Sequence, residues 1–306
     1  MGVSVLVRSA LPLLLTLGVA ACSVYASPAC HVGADCASGV CDADGTCGVA
    51  TSSSGGGGTG GHTSTGSSAG GSGTCSPNHD GIITRAEVPI EPGLHANFLA
   101  AEDAGVSSAG TANANGTFTW DLAVTLSGDH TEAVDTLALG TVWFGADFPG
   151  ASYAARLSDS ADLLGVFTLS EAALTLVGVA SPTAGSGQTE LKYAPGVTVL
   201  SFPMKAGATW STTATVTGEA EGVSVEYTEA YQSTIDATGS LKTPYATFDV
   251  LRVNTLLTRD IDFIVTTTRT FSFVTECFGN VANIVSGSDP LTAEITTAAE
   301  VTRLSP

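Results

Sequence analysis

A serine in a G-x-S-x-G turn, a histidine beside a carboxylate, or two carboxylates on one strand face could each begin an enzyme. The chain offers something close to each. Gly66-Ser67-Ser68-Ala69-Gly70 has the spacing of a nucleophilic serine turn. That chemistry needs a strand before the serine and a helix after it, so that the hydroxyl stands exposed on a sharp bend. Here the string lies within residues 51–74, which hold ten Gly, seven Ser and five Thr, and neither element can form. The five histidines are His31, His62, His79, His95 and His130, so any catalytic base must come from the first 130 residues. The sequence contains no H-E-x-x-H, and no phosphate-cradling glycine pattern between a strand and a helix. Glu219 with Glu221, and Asp260 with Asp262, alternate with other residues, which puts each pair on one strand face where an acid/base couple could act. In so acidic a chain, solvated strand ends explain them more simply. No nucleophile–base pair emerges, and the expectation is a protein that is not an enzyme.

The segment Ser76 to Glu87 is the candidate metal site. Read as a twelve-residue Ca²⁺ loop, it puts Asn78 and Asp80 at the third and fifth positions, Gly81 at the sharp turn and Glu87 at the bidentate twelfth. Asn78, Asp80 and Glu87 are the candidate Ca²⁺ ligands. Against them, Ser76 stands where an aspartate is usual, and Pro89 and Pro92 end the helix that should hold Glu87 in place. A degenerate, loop-like turn is the competing reading. No other cofactor is implied.

Cysteine is the remaining reactive residue, and there are seven. Met1 to Ala21 has the form of an export signal: Arg8 supplies the positive charge, and Leu11 to Ala20 is an apolar stretch too short to span a membrane as a mature helix. It ends in Val19-Ala20-Ala21-Cys22. That tetrapeptide resembles the bacterial lipobox, and the resemblance implies that Cys22 becomes the acylated first residue of the mature chain. Its thiol would carry a diacylglycerol with palmitate-type chains. The alternative is an ordinary signal peptide with Cys22 a spare thiol. Ser23 is not the aspartate that retains enterobacterial lipoproteins at the inner membrane, so the resemblance implies an outer-membrane destination.

With Cys22 set aside, six cysteines remain for an oxidising compartment. Cys30, Cys36, Cys41 and Cys47 are spaced C-x5-C-x4-C-x5-C, without the close ligand pairs of structural zinc sites. Two disulfides are expected there. Three pairings are open, and Cys30–Cys41 with Cys36–Cys47 is favoured. The string from Cys30 to Cys47 resembles small C-x-x-G-x-D-C-x-S-G-x-C modules in exported proteins of myxobacteria and their relatives, a likeness over about eighteen residues that implies no activity. The last pair, Cys75 and Cys277, is predicted to be bridged. In the chain-entropy picture such a long loop is worth up to about 5 kcal/mol.

The domains that must position these residues follow from composition. Residues 1–21 are the signal peptide, and 22–50 the lipidated N-terminus with its Cys-rich module. Residues 51–74 are a Gly/Ser/Thr linker expected to be disordered, with a root-mean-square span of about 25–30 Å. Residues 75–306 are the β-rich domain. In that domain Phe118, Trp120, Leu122, Val124 and Leu126 alternate with polar or small residues. So do Val223, Val225, Tyr227, Tyr231 and Ile235, and again Ile261, Phe263, Val265, Phe271 and Phe273. A period of two marks half-buried antiparallel strands. Turn signals separate the runs, among them Asn115-Gly116 and Pro195-Gly196. The fold class expected is all-β, an antiparallel sandwich or a partly closed barrel, preceded by the small disulfide-rich module and the linker.

Pro203-x3-Gly207-x2-Trp210, followed by the stretch Gly239 to Val253, is similar to a paired pattern in uncharacterised bacterial exported β-proteins, with Ala246 where that pattern has Gly. Cys277 to Ile284 resembles their closing strand. Those proteins loosely resemble half-barrel periplasmic lipoprotein carriers, in which a curved sheet shelters acyl chains. The likeness spans roughly residues 190 to 290 and implies β-architecture. Phe202, Trp210, Tyr245 and Phe248 read as ordinary core aromatics.

Charge bounds the partners. The chain has 29 Asp+Glu against 10 Lys+Arg, a net charge of −19. From Cys75 onward 26 acidic residues face nine basic ones, so the excess belongs to the β-domain. Such a surface repels nucleic-acid phosphate, and nucleic acid is excluded as a partner. The reading that follows is a non-catalytic outer-membrane or surface lipoprotein, held to the membrane by its lipid and acting in envelope structure or protein interaction. The alternative is a carrier of an acyl chain or other apolar ligand, and a second alternative is an enzyme of unidentified class. A carrier needs an apolar cavity open to solvent, whereas a structural module should be filled by Trp120, Trp143, Trp210 and the phenylalanines.

Overall fold

The computed structural model describes residues 75–306 apart from 159, 160, 263 and 291. The signal peptide, Cys22, the cysteines at 30, 36, 41 and 47 and the linker lie outside the described residues.

Sixteen strands form among those residues. They begin with β1 (Ile82–Ile83), β2 (His95–Ala104), β3 (Thr111–Ala112), β4 (Phe118–Asp121), β5 (His130–Leu137) and β6 (Tyr153–Arg156). Next come β7 (Leu164–Leu169), β8 (Ala173–Ala180), β9 (Glu190–Ser201), β10 (Met204–Lys205) and β11 (Thr209–Ala220). The series ends with β12 (Val223–Lys242), β13 (Thr247–Ile261), β14 (Ile264–Thr275), β15 (Gly279–Val285) and β16 (Ala298–Ser305). Twelve of them (β2, β5–β9 and β11–β16) pair antiparallel, each with the next in chain order, and β16 returns to pair with β2. The fold is therefore all-β, and of the two architectures expected it takes the barrel. The ring is completely closed, which removes every free edge from the wall.

Alternation builds the wall. Along β11, Trp210, Thr212, Ala214 and Val216 turn inward, while Ser211, Thr213, Thr215 and Thr217 are exposed. This outer face is the reverse of the apolar band that a membrane-spanning barrel presents to lipid. Inside, one contiguous core joins side chains from across the ring, including Tyr153, Phe167, Leu176, Val216, Tyr231 and Val253.

The core continues into a plug. Ile83 of β1, Val88, Ile90 and Met204 of β10 are buried in it. The β1–β10 pair and a 3-10 turn at Arg85–Glu87 close this end of the ring, here termed the base. The base is fastened to the β14–β15 turn: Glu276 Oε2 accepts from the backbone N–H of Asn78 (2.6 Å) and His79 (3.1 Å), and Cys277 N–H donates to Glu87 O (2.7 Å). Cys75 and Cys277 form the disulfide that the sequence predicts.

Two flaps cover apolar parts of the outer wall. Phe144 and Phe148, from the segment after β5, pack on Ala154, Leu164 and Val166. On the far side, β4 runs parallel to the last residues of β12 and brings Trp120 against Phe273 of β14, with ring centres 5.1 Å apart. Gly239 permits that pairing, because a Cβ there would lie 1.8 Å from the Phe118 carbonyl oxygen.

Three local expectations change. The alternation from Phe118 to Leu126 is strand only to Asp121; Asp121 Oδ1 then accepts the Ala123 N–H and turns the chain away. The run from Ile261 to Phe273 is not one strand but a hairpin, β13 ending at Ile261 and β14 starting at Ile264. Pro195-Gly196 is not a turn between elements. It lies inside β9, opposite register shifts in β8, where a proline without an N–H is tolerated.

Candidate functional site

The residues with most chemistry per unit volume lie inside the barrel. On β12 the inward positions after Val225 are Tyr227, Glu229, Tyr231, Ser233 and Ile235, so the same period that buries tyrosines buries a carboxylate. Glu229 is fully buried, and β13 places Arg259 directly opposite it in the ladder. Arg259 Nε donates to Glu229 Oε1 at 2.7 Å, and the Tyr231 hydroxyl donates to Oε2 at 2.5 Å. The Arg259 guanidinium also lies 5.9 Å from the centre of the Tyr227 ring.

These contacts set the protonation states. Burial, and then the negative charge of Glu229, push the hydroxyls of Tyr231 and Tyr193 well above the ordinary tyrosine range. Tyr227 is raised in the same direction for the same two reasons. Burial alone would lower Arg259, but the Glu229 carboxylate outweighs it, and the guanidinium stays charged. The result is a neutral-tyrosine shell around an ion pair. Such a pair adds little net stability over an apolar filling, yet removing one partner costs about 3–5 kcal/mol because the other is left charged in the dry interior. Both oxygens of Glu229 are engaged, and the arrangement ties the neighbouring strands β12 and β13 together on the inner wall.

A polar seam continues around the inner wall. Ser233 and Thr255 hydroxyls lie 2.9 Å apart, the Ser272 hydroxyl donates to Asn283 Oδ1 (2.7 Å), and Asn283 Nδ2 donates to Thr302 (3.2 Å). Near it, at the end opposite the base, a crevice of about 10 Å³ is lined by Phe98, Glu132, Val134, Arg156, Leu157 and Thr302. That is room for about one water molecule.

On the outer wall, Arg252 holds the far flap. Its guanidinium donates to both oxygens of Asp236 (2.8 and 3.1 Å), to both of Glu294 (3.0 Å each) and to the Ser108 carbonyl (2.6 Å). It also lies 4.5 Å from the Phe271 ring centre. Trp120, expected as filling, therefore sits outside the wall beside Arg252, with its indole N–H on the Ser108 carbonyl (2.9 Å). The interior is filled by tyrosine, leucine, valine and Phe167 instead, and Trp210 lies against its rim with its N–H on Thr198 O (3.0 Å).

Of the three candidate Ca²⁺ ligands, the fold brings Asn78 and Glu87 together, but through a hydrogen bond: Asn78 Nδ2 donates to Glu87 Oε1 at 2.7 Å. Glu87 Oε2 accepts from the backbone and hydroxyl of Thr84 (2.7 and 2.8 Å), a capping box on the 3-10 turn. Asp80 Oδ1 accepts from Ile82 N–H (2.7 Å). Among the described residues no cluster of three or more His, Cys, Asp or Glu side chains is arranged to hold a metal ion. The histidines stay apart. His95 Nδ1 meets Asp135 at 2.8 Å and His79 Nδ1 meets Asp249 at 3.1 Å, each on an exposed surface. The carboxylate pairs Glu219/Glu221 and Asp260/Asp262 stand exposed at the end opposite the base, at the tips of the β11–β12 and β13–β14 hairpins.

No protein-family model matches the chain, and neither does a curated protein or a solved structure.

Proposed function

We propose that this protein is an exported, lipid-anchored envelope protein whose barrel is a non-catalytic scaffold for structure or protein interaction at the outer membrane. The observation that carries the scaffold reading is the interior. The ring is filled by its own side chains, and Glu229 and Arg259 in its interior satisfy each other, so the acidic outer surface is where a partner would be met. The anchor reading rests on the sequence at Val19-Ala20-Ala21-Cys22. Mass spectrometry of the membrane fraction from cells making the native chain or Cys22→Ser tests it: the native protein should carry a diacylglycerol and sediment with membranes, and the variant should not. A soluble, unmodified native protein would refute the anchor.

A carrier of an acyl chain or other apolar ligand is the second reading, and a barrel is compatible with it. The crevice beside Phe98, Val134 and Leu157 favours it as a place of entry. A ligand longer than a water molecule would have to displace interior side chains there, so a carrier must open.

A further inference from the structure

The end of the barrel opposite the base, here termed the mouth, has a composition unlike the rest of the surface. Among the described residues five large apolar side chains are exposed, and three of them sit on its two neighbouring hairpins: Val223 (65% exposed), Ile264 (67%) and Val265 (55%). Val223 continues the inward-facing row of Val225 and Tyr227, past the point where β13 stops pairing with β12. The β11–β12 hairpin therefore extends past β13 with an apolar inner side, while its other side stays tied to the β8–β9 connection, Gly222 N–H donating to Gln188 O (2.9 Å) and Glu221 N–H to the Thr189 hydroxyl (3.1 Å). Ile264 continues the inner side of the neighbouring hairpin, and Val265, paired with Asp260, faces outward.

Around these side chains stand Glu219, Glu221, Glu226, Asp260 and Asp262, all exposed. None of the five is ion-paired, whereas Glu190 nearby is held by Lys192 at 3.2 Å. The two cations closest in sequence register, Arg259 and Lys192, are both committed to other carboxylates. The last β12–β13 pair is Thr228 with Asp260, and Glu226 and Asp262 stand exposed just beyond it, Asp262 in the turn of the β13–β14 hairpin. Carboxylates gathered on neighbouring strand ends without a counter-charge repel one another, and a cation brought to them is attracted. Apolar side chains left in water beside uncompensated carboxylates favour an occupant that brings both apolar surface and positive charge.

We infer that the mouth is a docking site for a protein segment carrying apolar residues flanked by lysine or arginine. This rests on the reading of the barrel as an interaction scaffold and names its class of partner. The charge excludes an anionic bilayer as the occupant and opposes a second copy of the same acidic mouth. Asn78 and His79, near the start of the described chain, are fastened at the opposite end, the base.

The test uses the full chain and three synthetic peptides: alternating Leu and Lys, alternating Leu and Glu, and alternating Lys and Ser, with binding read by calorimetry at two salt concentrations. The Leu/Lys peptide should bind, the Lys/Ser peptide about tenfold more weakly, and the Leu/Glu peptide not at all. Val223→Ser with Ile264→Ser and Val265→Ser should cost at least about tenfold. Glu226→Gln with Asp260→Asn and Asp262→Asn should weaken binding and flatten its salt dependence. Glu91→Gln with Asp147→Asn and Glu171→Gln, exposed but away from the mouth, should leave it within about twofold. Equal losses from the mouth and control charge sets would overturn the mouth as the site while leaving the scaffold reading standing. Equal binding of the Leu/Glu peptide, or a dimer that the mouth variants dissociate, would overturn the partner class. No binding of any peptide would overturn the mouth proposal alone, since the anchor and interior are tested separately.

Discussion

The two ends of the barrel are built by opposite means. At the base, the chain folds a plug into the ring, buries Ile83, Val88 and Met204 there, and secures it with the Cys75–Cys277 disulfide and the Glu276 hydrogen bonds. At the mouth the hairpins β11–β12 and β13–β14 stop at different heights, leave Val223 and Ile264 in water, and gather five exposed carboxylates. One end is stabilised at the expense of access, and the other keeps access at some cost in stability. In a ring without free edges, the strand ends are where a barrel can differ from its neighbours, and this one specialises them separately.

The contrast can be broken most forcefully from between the two ends. Arg259→Leu leaves Glu229 buried with its charge opposed only by a tyrosine hydroxyl, and equilibrium denaturation should show a loss of about 3–5 kcal/mol. Adding Glu229→Leu to it should restore most of that loss, because two apolar groups replace the pair. At the base, Cys75→Ser should lower stability by about 2–5 kcal/mol, measured by thermal melting with and without reductant. A base held by packing alone would show no such loss.

Alkaline titration sharpens the account of the interior. Tyr153, Tyr193, Tyr227 and Tyr231 all have hydroxyls raised by burial above the ordinary value of 10, with Arg85 acting weakly against the shift at Tyr153. A raised folded value means that the folded state holds the proton more tightly. Their contribution is therefore fully present below about pH 10 and is lost as the pH climbs above it. Absorbance at the tyrosinate band should show these four ionising only as the barrel unfolds, in one cooperative step. Gradual ionisation with the fold intact would show the interior open to water.

Smaller effects belong to the surface. Ca²⁺ should leave the melting temperature unchanged, since Glu87 and Asp80 already accept hydrogen bonds within the loop. A rise that Asp80→Ala abolishes would restore the ion. Val223→Ser should change stability by no more than about 0.5 kcal/mol, while affecting the mouth.

Much of this architecture is legible in local pattern. Period-two alternation identifies β12 and, in the run from Ile261 to Phe273, most of β14, and the odd cysteine count isolates Cys75 with Cys277. Closure is not legible, because β16 meets β2 some two hundred residues away and nothing local to either strand encodes the pairing. The turn between Ile261 and Ile264 is hidden because apolar residues continue through it. Trp120 reads as core filling, and it is buried, but on the outer side of the wall; periodicity tells which residues share a face and not which side of the ring that face occupies. The Glu229 site had a signal: position 229 falls on the same face as Tyr227 and Tyr231, so a carboxylate in an apolar row required a buried partner.

The most direct test of the central claim, that the interior is a structural core and the partner is met outside, is native mass spectrometry of the full chain extracted gently from its own membranes. The expected mass is that of the mature polypeptide with its N-terminal lipid and no further stoichiometric species. A one-to-one apolar ligand that remains bound, and that is lost when Phe98 and Leu157 beside the crevice are replaced by larger side chains, would contradict the account and make the barrel a carrier.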